Sequence, residues 1–250
     1  MKIKTIFAAS LLATGVAFAD TAAVDAECVI GVLPVALAAG QTEIILNIPW
    51  IEAGQSSEGV AVTNLVKTAG LDTGDTLLWY NGIGYQSWQI DGNAWKPTPI
   101  IGNGSLPTTT AATATELNRG QALILNRLGT TATNIYVVGQ YATGSVSSTI
   151  AAGAPKAPVY TLIAPPSVDS TTDLSAKLTS AVDGDEVTFM KGGQIKSYSY
   201  NGTQWGTKRL DENQTPPRPV FTPVSEDDMK LPAGTGLYYK RYGASFTVNW

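Results

Sequence analysis

The segment GDTLLWYNGIGYQSWQIDGNAW, Gly74 to Trp95, aligns without gaps on GDEVTFMKGGQIKSYSYNGTQW, Gly184 to Trp205. Gly74-Asp75 matches Gly184-Asp185, Trp79 matches Phe189, Trp88 matches Tyr198, and Trp95 matches Trp205. The match continues outward with small changes in length. Thr63-Asn64-Leu65 corresponds to Thr172-Asp173-Leu174, and LNRGQALILNR from Leu117 corresponds to LPAGTGLYYKR from Leu231. Further upstream, Leu46-Asn47-Ile48-Pro49 aligns with Leu162-Ile163-Ala164-Pro165. A collinear series of this kind reads as two diverged copies of one unit, and a repeat restricts the fold to two similar packed bodies.

Within each copy the pattern is that of short strands joined by tight turns. Asn81-Gly82 and Asp91-Gly92 are two-residue turn signals, with Gly192-Gly193 and Asn201-Gly202 at the matching places. Primed hairpin turns need positive φ, which Asn, Asp and Gly tolerate. The runs between them, Thr76–Tyr80 with Tyr85–Ile90 and Glu186–Met190 with Ile195–Tyr200, are aromatic and β-branched, so each copy predicts a three-stranded meander. Further strands are expected at Glu43–Asn47, Ala122–Asn126 and Ile135–Tyr141, and at Val159–Ile163, Leu237–Arg241 and Phe246–Trp250. One short helix per copy is expected, capped by Asn64 over Leu65–Ala69 and by Asp173 over Leu174–Val182. The stretches 97–116 and 206–230 occupy the same slot, share almost no sequence and read as irregular surface loops. The fold class is all-β with one short helix per repeat, in two tandem sandwich or small-barrel modules. The sequence leaves open whether each folds alone or the two complete one another as a pseudo-dimer.

Met1-Lys2-Ile3-Lys4, an apolar run from Ile6 to Phe18 and Ala17-Phe18-Ala19 have the three parts of a secretory signal, with cleavage expected after Ala19. The run is too short to span a membrane as a helix. The domain reading is therefore signal peptide 1–19, first module 20–143 and second module 144–250, with the product secreted, periplasmic or at the cell surface. Loss of Lys2 and Lys4 leaves 14 basic against 20 acidic residues, with no cluster to neutralise successive phosphates, so nucleic acid is not an expected partner. The single Cys28 cannot form an internal disulfide.

No histidine is present, which removes the usual general base and the commonest transition-metal ligand. Asp75 and Asp185 are repeated acids, but an Asp after Gly at a strand start suits a turn that accepts backbone amides. Glu226-Asp227-Asp228 lacks the ligand spacing of a calcium loop. The expectation is a non-enzymatic chain with no cofactor and no catalytic or metal site. Trp79, Trp88, Trp95 and Trp205 carry the alternative of glycan binding by exposed aromatic platforms, against the reading that the rings are core. A third reading is an outer-membrane β-barrel, because the chain ends on Phe246-Thr247-Val248-Asn249-Trp250; the short strands argue against it.

The landmarks Ala-Gly followed by Pro, Gly-Asp followed by Trp, Asp-Gly and Trp, and Leu–Gly–Leu–Arg, each recurring in the second copy with Phe189 and Asn201 in place of Trp79 and Asp91, resemble a group of uncharacterised secreted proteins of planctomycetes and Verrucomicrobia. That resemblance implies an exported β-rich repeat protein and carries no functional residues with it. The leading expectation is a structural or adhesive protein of the cell surface, whose partner is a surface glycan or another copy of itself.

Overall fold

A computed structural model describes residues 30–48, 61–80, 84–101, 108–112, 117–140, 145–166, 171–211 and 218–250. The first half runs β1 (Ile30–Leu37), β2 (Glu43–Asn47), α1 (Val62–Leu65), β3 (Thr76–Tyr80), β4 (Tyr85–Asp91), β5 (Ala94–Pro97), β6 (Thr110–Ala111), β7 (Ala122–Asn126) and β8 (Thr133–Gln140). The second runs β9 (Ser147–Ile150), β10 (Val159–Ile163), β11 (Thr172–Asp173), α2 (Leu174–Lys177), β12 (Glu186–Lys191), β13 (Gln194–Tyr200), β14 (Trp205–Asp211), β15 (Arg218–Pro223), β16 (Lys230–Leu231), β17 (Leu237–Arg241) and β18 (Phe246–Asn249). The fold is all-β and sandwich-like.

The aligned segments of the two halves are laid out in the same strand order. The first large sheet is β2-β7-β3-β4-β5, and the second is β10-β17-β12-β13-β14 with β15 added at its edge. Each large sheet faces a two-stranded antiparallel ribbon, β1–β8 in the first half and β9–β18 in the second. The first core lies between the layers, with Leu33, Val35 and Leu37 from the ribbon meeting Leu46, Leu77, Trp88, Trp95, Leu123 and Leu125 from the sheet. In the second, Ile150 and Val248 meet Val187, Phe189, Tyr198, Trp205, Leu237 and Tyr239. The sheets have open orders among the described residues and do not close into a barrel, so neither the small-barrel option nor the outer-membrane reading is carried forward.

Five expected strands match in both bounds: β2, β3, β7, β10 and β17. Other expectations need correction. The opening strand β1 was not expected at all, because Pro34 interrupts its pattern; it tolerates the proline because its pairing is to β8 alone. Helix α1 starts earlier than the capping pattern indicates and follows Ala61 without a side-chain cap. Burial moves it: Val62 and Val66 both enter the first core, and Val66 already pairs with Val137. Helix α2 does begin at Asp173, whose carboxylate accepts from the amides of Ser175 and Ala176, but it ends at Lys177. The stretches 97–116 and 206–230 are not wholly irregular. In the first, β6 returns parallel to β4; in the second, β15 folds back antiparallel on β14. The expected signal sequence, Cys28, the expected turn at Asn81-Gly82 and the expected module boundary at 143–144 lie outside the described residues.

The halves meet through a reciprocal junction. Leu46 of β2 bridges Thr235 of the second half, and Ile163 of β10 bridges Gln121 of the first. Asn47 N donates to Gly234 O at 3.1 Å, and Ala164 N donates to Gly120 O at 3.1 Å. Because β2 and β10 occupy equal places, as do the turns 118–121 and 232–235, these contacts exchange under a pseudo-twofold rotation, as in an isologous dimer. The register also corrects the sequence alignment by one residue. Leu46 lies opposite Leu123 and Ile163 opposite Leu237, so Leu46 corresponds to Ile163, not to Leu162. Matching leucine to leucine misled the alignment, whereas the buried face sets strand register. Leu46 and Ile163 point into their own cores, while Ile45 and Leu162 face each other's half, in a cluster with Leu78, Ala122, Ile124 and Ala164. Each such large aliphatic side chain contributes about 1.5–3 kcal/mol on full burial.

Candidate functional site

The repeated acids are turn clamps. Gly74 and Gly184 have φ of +98° and +91°, the left-handed geometry that turns the chain into β3 and β12. The following aspartates are both fully buried. Asp75 Oδ2 accepts from the amide of Asp72 at 2.9 Å and Oδ1 from the amide of Leu128 at 2.7 Å. Asp185 repeats the pattern with Val182 at 3.0 Å and Tyr242 at 2.9 Å. Each thus ties the turn before a central strand to the end of the neighbouring strand. The second clamp carries more. Asp185 Oδ2 also accepts from Tyr239 Oη at 2.7 Å and pairs with Arg241 Nη1 at 2.5 Å. Burial, followed by the hydrogen bond to Asp185, pushes the Tyr239 hydroxyl far above the ordinary tyrosine range. Arg241 further donates to the carbonyls of Ser180 and Ala244. In the first half Leu125 stands in the place of Tyr239, and Arg127 donates instead to the carbonyls of Gln41 and Thr131.

The acidic run in the second half is also occupied by local bonds. Asp227 pairs with Lys230 at 2.5 Å, while its backbone carbonyl accepts from Lys191 Nζ. Asp228 Oδ2 accepts from the amide and hydroxyl of Ser225. Lys230 and Ser225, respectively, hold these two carboxyls below the usual aspartate range. No group of three or more candidate metal ligands occurs among the described residues.

Of the four tryptophans singled out as a glycan platform, three are closed to solvent. Trp88, Trp95 and Trp205 are 3%, 5% and 6% exposed and belong to the two cores. Trp95 Nε1 donates to Val66 O at 2.8 Å, joining the end of the meander to the exit of α1. Trp205 packs against Tyr200 and, edge-on, against Tyr239. Rings enclosed in this way present no face to a sugar, so a platform formed by all four is corrected to core packing. Trp79 differs. It is half-buried, rests on the first core and lines an opening.

That opening is one of two clefts formed against the junction from matching positions in the strand order of the two halves. The larger, about 620 Å³, lies between β1 and the second half's Met190, Pro232, Ala233 and Thr235. The smaller, about 350 Å³, lies between β9–β10 and the first half's Tyr80, Asn118, Arg119 and Gln121. Both volumes fall in the range of small-ligand sites. Sequence reasoning missed the smaller cleft, because its walls come from the two different halves of the chain and meet only when the halves dock. Trp79 was the one signal pointing towards it.

Comparison with protein-family models, with curated proteins and with solved structures returns no match for this chain.

Proposed function

We propose that this chain is an exported, non-enzymatic structural or adhesive protein of the cell surface or extracellular matrix, built from two diverged copies of one β module. One observation carries the reading: the polar side chains repeated in both halves serve the scaffold. Asp75 and Asp185 are buried clamps on backbone amides, and Arg241 is held by Asp185 and two carbonyls. Catalytic carboxylates need room for a substrate between them and a proton to exchange with it. These two are turned inward, one in each half. The halves differ instead at the surface, where β6 and β15 take different paths from the same slot. Export rests on the basic and apolar leader that ends at Ala17-Phe18-Ala19.

The test is fractionation of cells producing the full chain, with N-terminal sequencing and surface protease treatment. The expected product starts at Asp20, lies outside the cytoplasm and is accessible to added protease. An uncleaved chain confined to the cytoplasm would overturn the reading, as would reproducible turnover on a substrate panel. A second reading, glycan binding, is favoured by the placement of Trp79 in the smaller cleft.

A further inference from the structure

The two clefts are made by equivalent positions, yet their linings have diverged in one direction. Leu117 and Leu231 begin matching turns, and Gly120 and Gly234 share positive φ within them. Across this frame Pro232 corresponds to Asn118, Ala233 to Arg119, Thr235 to Gln121 and Met190 to Tyr80. Each change gives the smaller cleft a more capable hydrogen-bonding side chain or an aromatic ring. Two further rings, Trp79 and the half-exposed Tyr160, complete its wall.

The turn that carries these groups is held from both sides. Asn118 N donates to Gln121 Oε1 at 2.9 Å, and Gly120 O accepts from Ser148 Oγ at 2.7 Å and from Ala164 N at 3.1 Å. A Cβ on Gly120 would lie 2.9 Å from Ser148 Oγ and 3.0 Å from Val146, so the close approach requires glycine. The polar groups therefore stand on a pre-formed frame, which lowers the entropic cost of binding.

We propose that the smaller cleft binds a pyranose unit of a surface polysaccharide, an inference that rests on the surface-protein reading above and adds its ligand. A pyranose has apolar C–H faces and an equatorial rim of hydroxyls. Trp79, Tyr80 and Tyr160 line the wall with aromatic rings, and Asn118 and Gln121 place side-chain amides beside them. A purely aliphatic ligand would bury the side-chain amides of Asn118 and Gln121 without replacing their hydrogen bonds with water.

The test is calorimetric titration of the mature chain with a neutral β-linked glucose hexamer and, separately, with a galacturonic acid oligomer. At least one binds, with a change in tryptophan fluorescence. Tyr160→Ala and Asn118→Ala, both at accessible positions, each weaken binding roughly tenfold without moving the melting temperature. Met190→Ala in the larger cleft leaves binding unchanged. Failure of both sugars at millimolar concentration overturns the inference, as does binding that survives both cleft substitutions. Cell fractionation separates the two proposals: a surface-located protein that ignores both sugars removes the cleft ligand alone, and a cytoplasmic protein removes the surface reading.

Discussion

Replacing Asp185 with alanine is expected to destabilise the protein by about 3–5 kcal/mol, the largest loss from any single polar substitution proposed for this molecule. Asp185 is fully buried and Arg241 is 4% exposed, so removal of the carboxylate leaves a guanidinium charge with no counter-ion inside the second module. It also strands the amides of Val182 and Tyr242 and the hydroxyl of Tyr239. A buried donor deprived of its partner costs about 1–3 kcal/mol. Asp75→Ala strands two amides and breaks no ion pair to Arg127 comparable to that of Asp185 with Arg241, so it is expected to cost less, about 2–4 kcal/mol. Urea denaturation of the two variants beside the unaltered chain measures both. Equal losses would contradict the distinction between a simple clamp and one reinforced by Arg241 and Tyr239.

Trp95→Ala and Trp205→Ala are each expected to cost about 3–5 kcal/mol. Both rings fill space between sheet and ribbon, and the collapse needed to close such a gap is resisted by strands already fixed on both sides. Trp95→Ala also removes the donor to Val66 O, which ties α1 to β5. Trp95→Phe keeps most of the volume but loses that bond, so its expected loss is smaller, about 1–3 kcal/mol. Thermal melts and urea titrations check these values. Unchanged melting in either alanine variant would remove that ring from the core.

The strands with matched turns were legible because the period-two pattern and the Gly-containing turns act locally. Thr76–Tyr80 and Leu237–Arg241 needed no information from elsewhere in the chain. The aspartate clamps were legible in kind, since Gly-Asp before a strand is a turn signature. Their partners were not, because Asp185 and Arg241 are far apart in sequence and meet through the pairing of β12 with β17. The ribbon strand β1 escaped for a different reason: Pro34 is a strand breaker except where pairing is one-sided.

The junction left a trace that went unread. In β2 and β7, Ile44-Ile45-Leu46 and Leu123-Ile124-Leu125 are continuous apolar runs, whereas β12 alternates, with Val187 and Phe189 inward and Thr188 outward. A sheet solvated on one face alternates, so continuous runs mark strands covered on both faces. Ile45 and Ile124 are those second-face residues, and the second half covers them. On the matching outer face of the second module, Thr188 and Ser197 bond to each other and Lys240 pairs with Glu186. The smaller cleft depends on this docking, which is why only Trp79 pointed to it beforehand.

The most direct test of two modules joined into one body is denaturant-dependent hydrogen exchange, followed at Leu77 and Leu123 in the first core and at Val187 and Leu237 in the second. The reciprocal junction predicts that all four amides open with the same free energy, and that Asp185→Ala lowers protection at Leu77 and Leu123 as much as at Val187. Two separate opening energies, with first-module protection unmoved by Asp185→Ala, would contradict it.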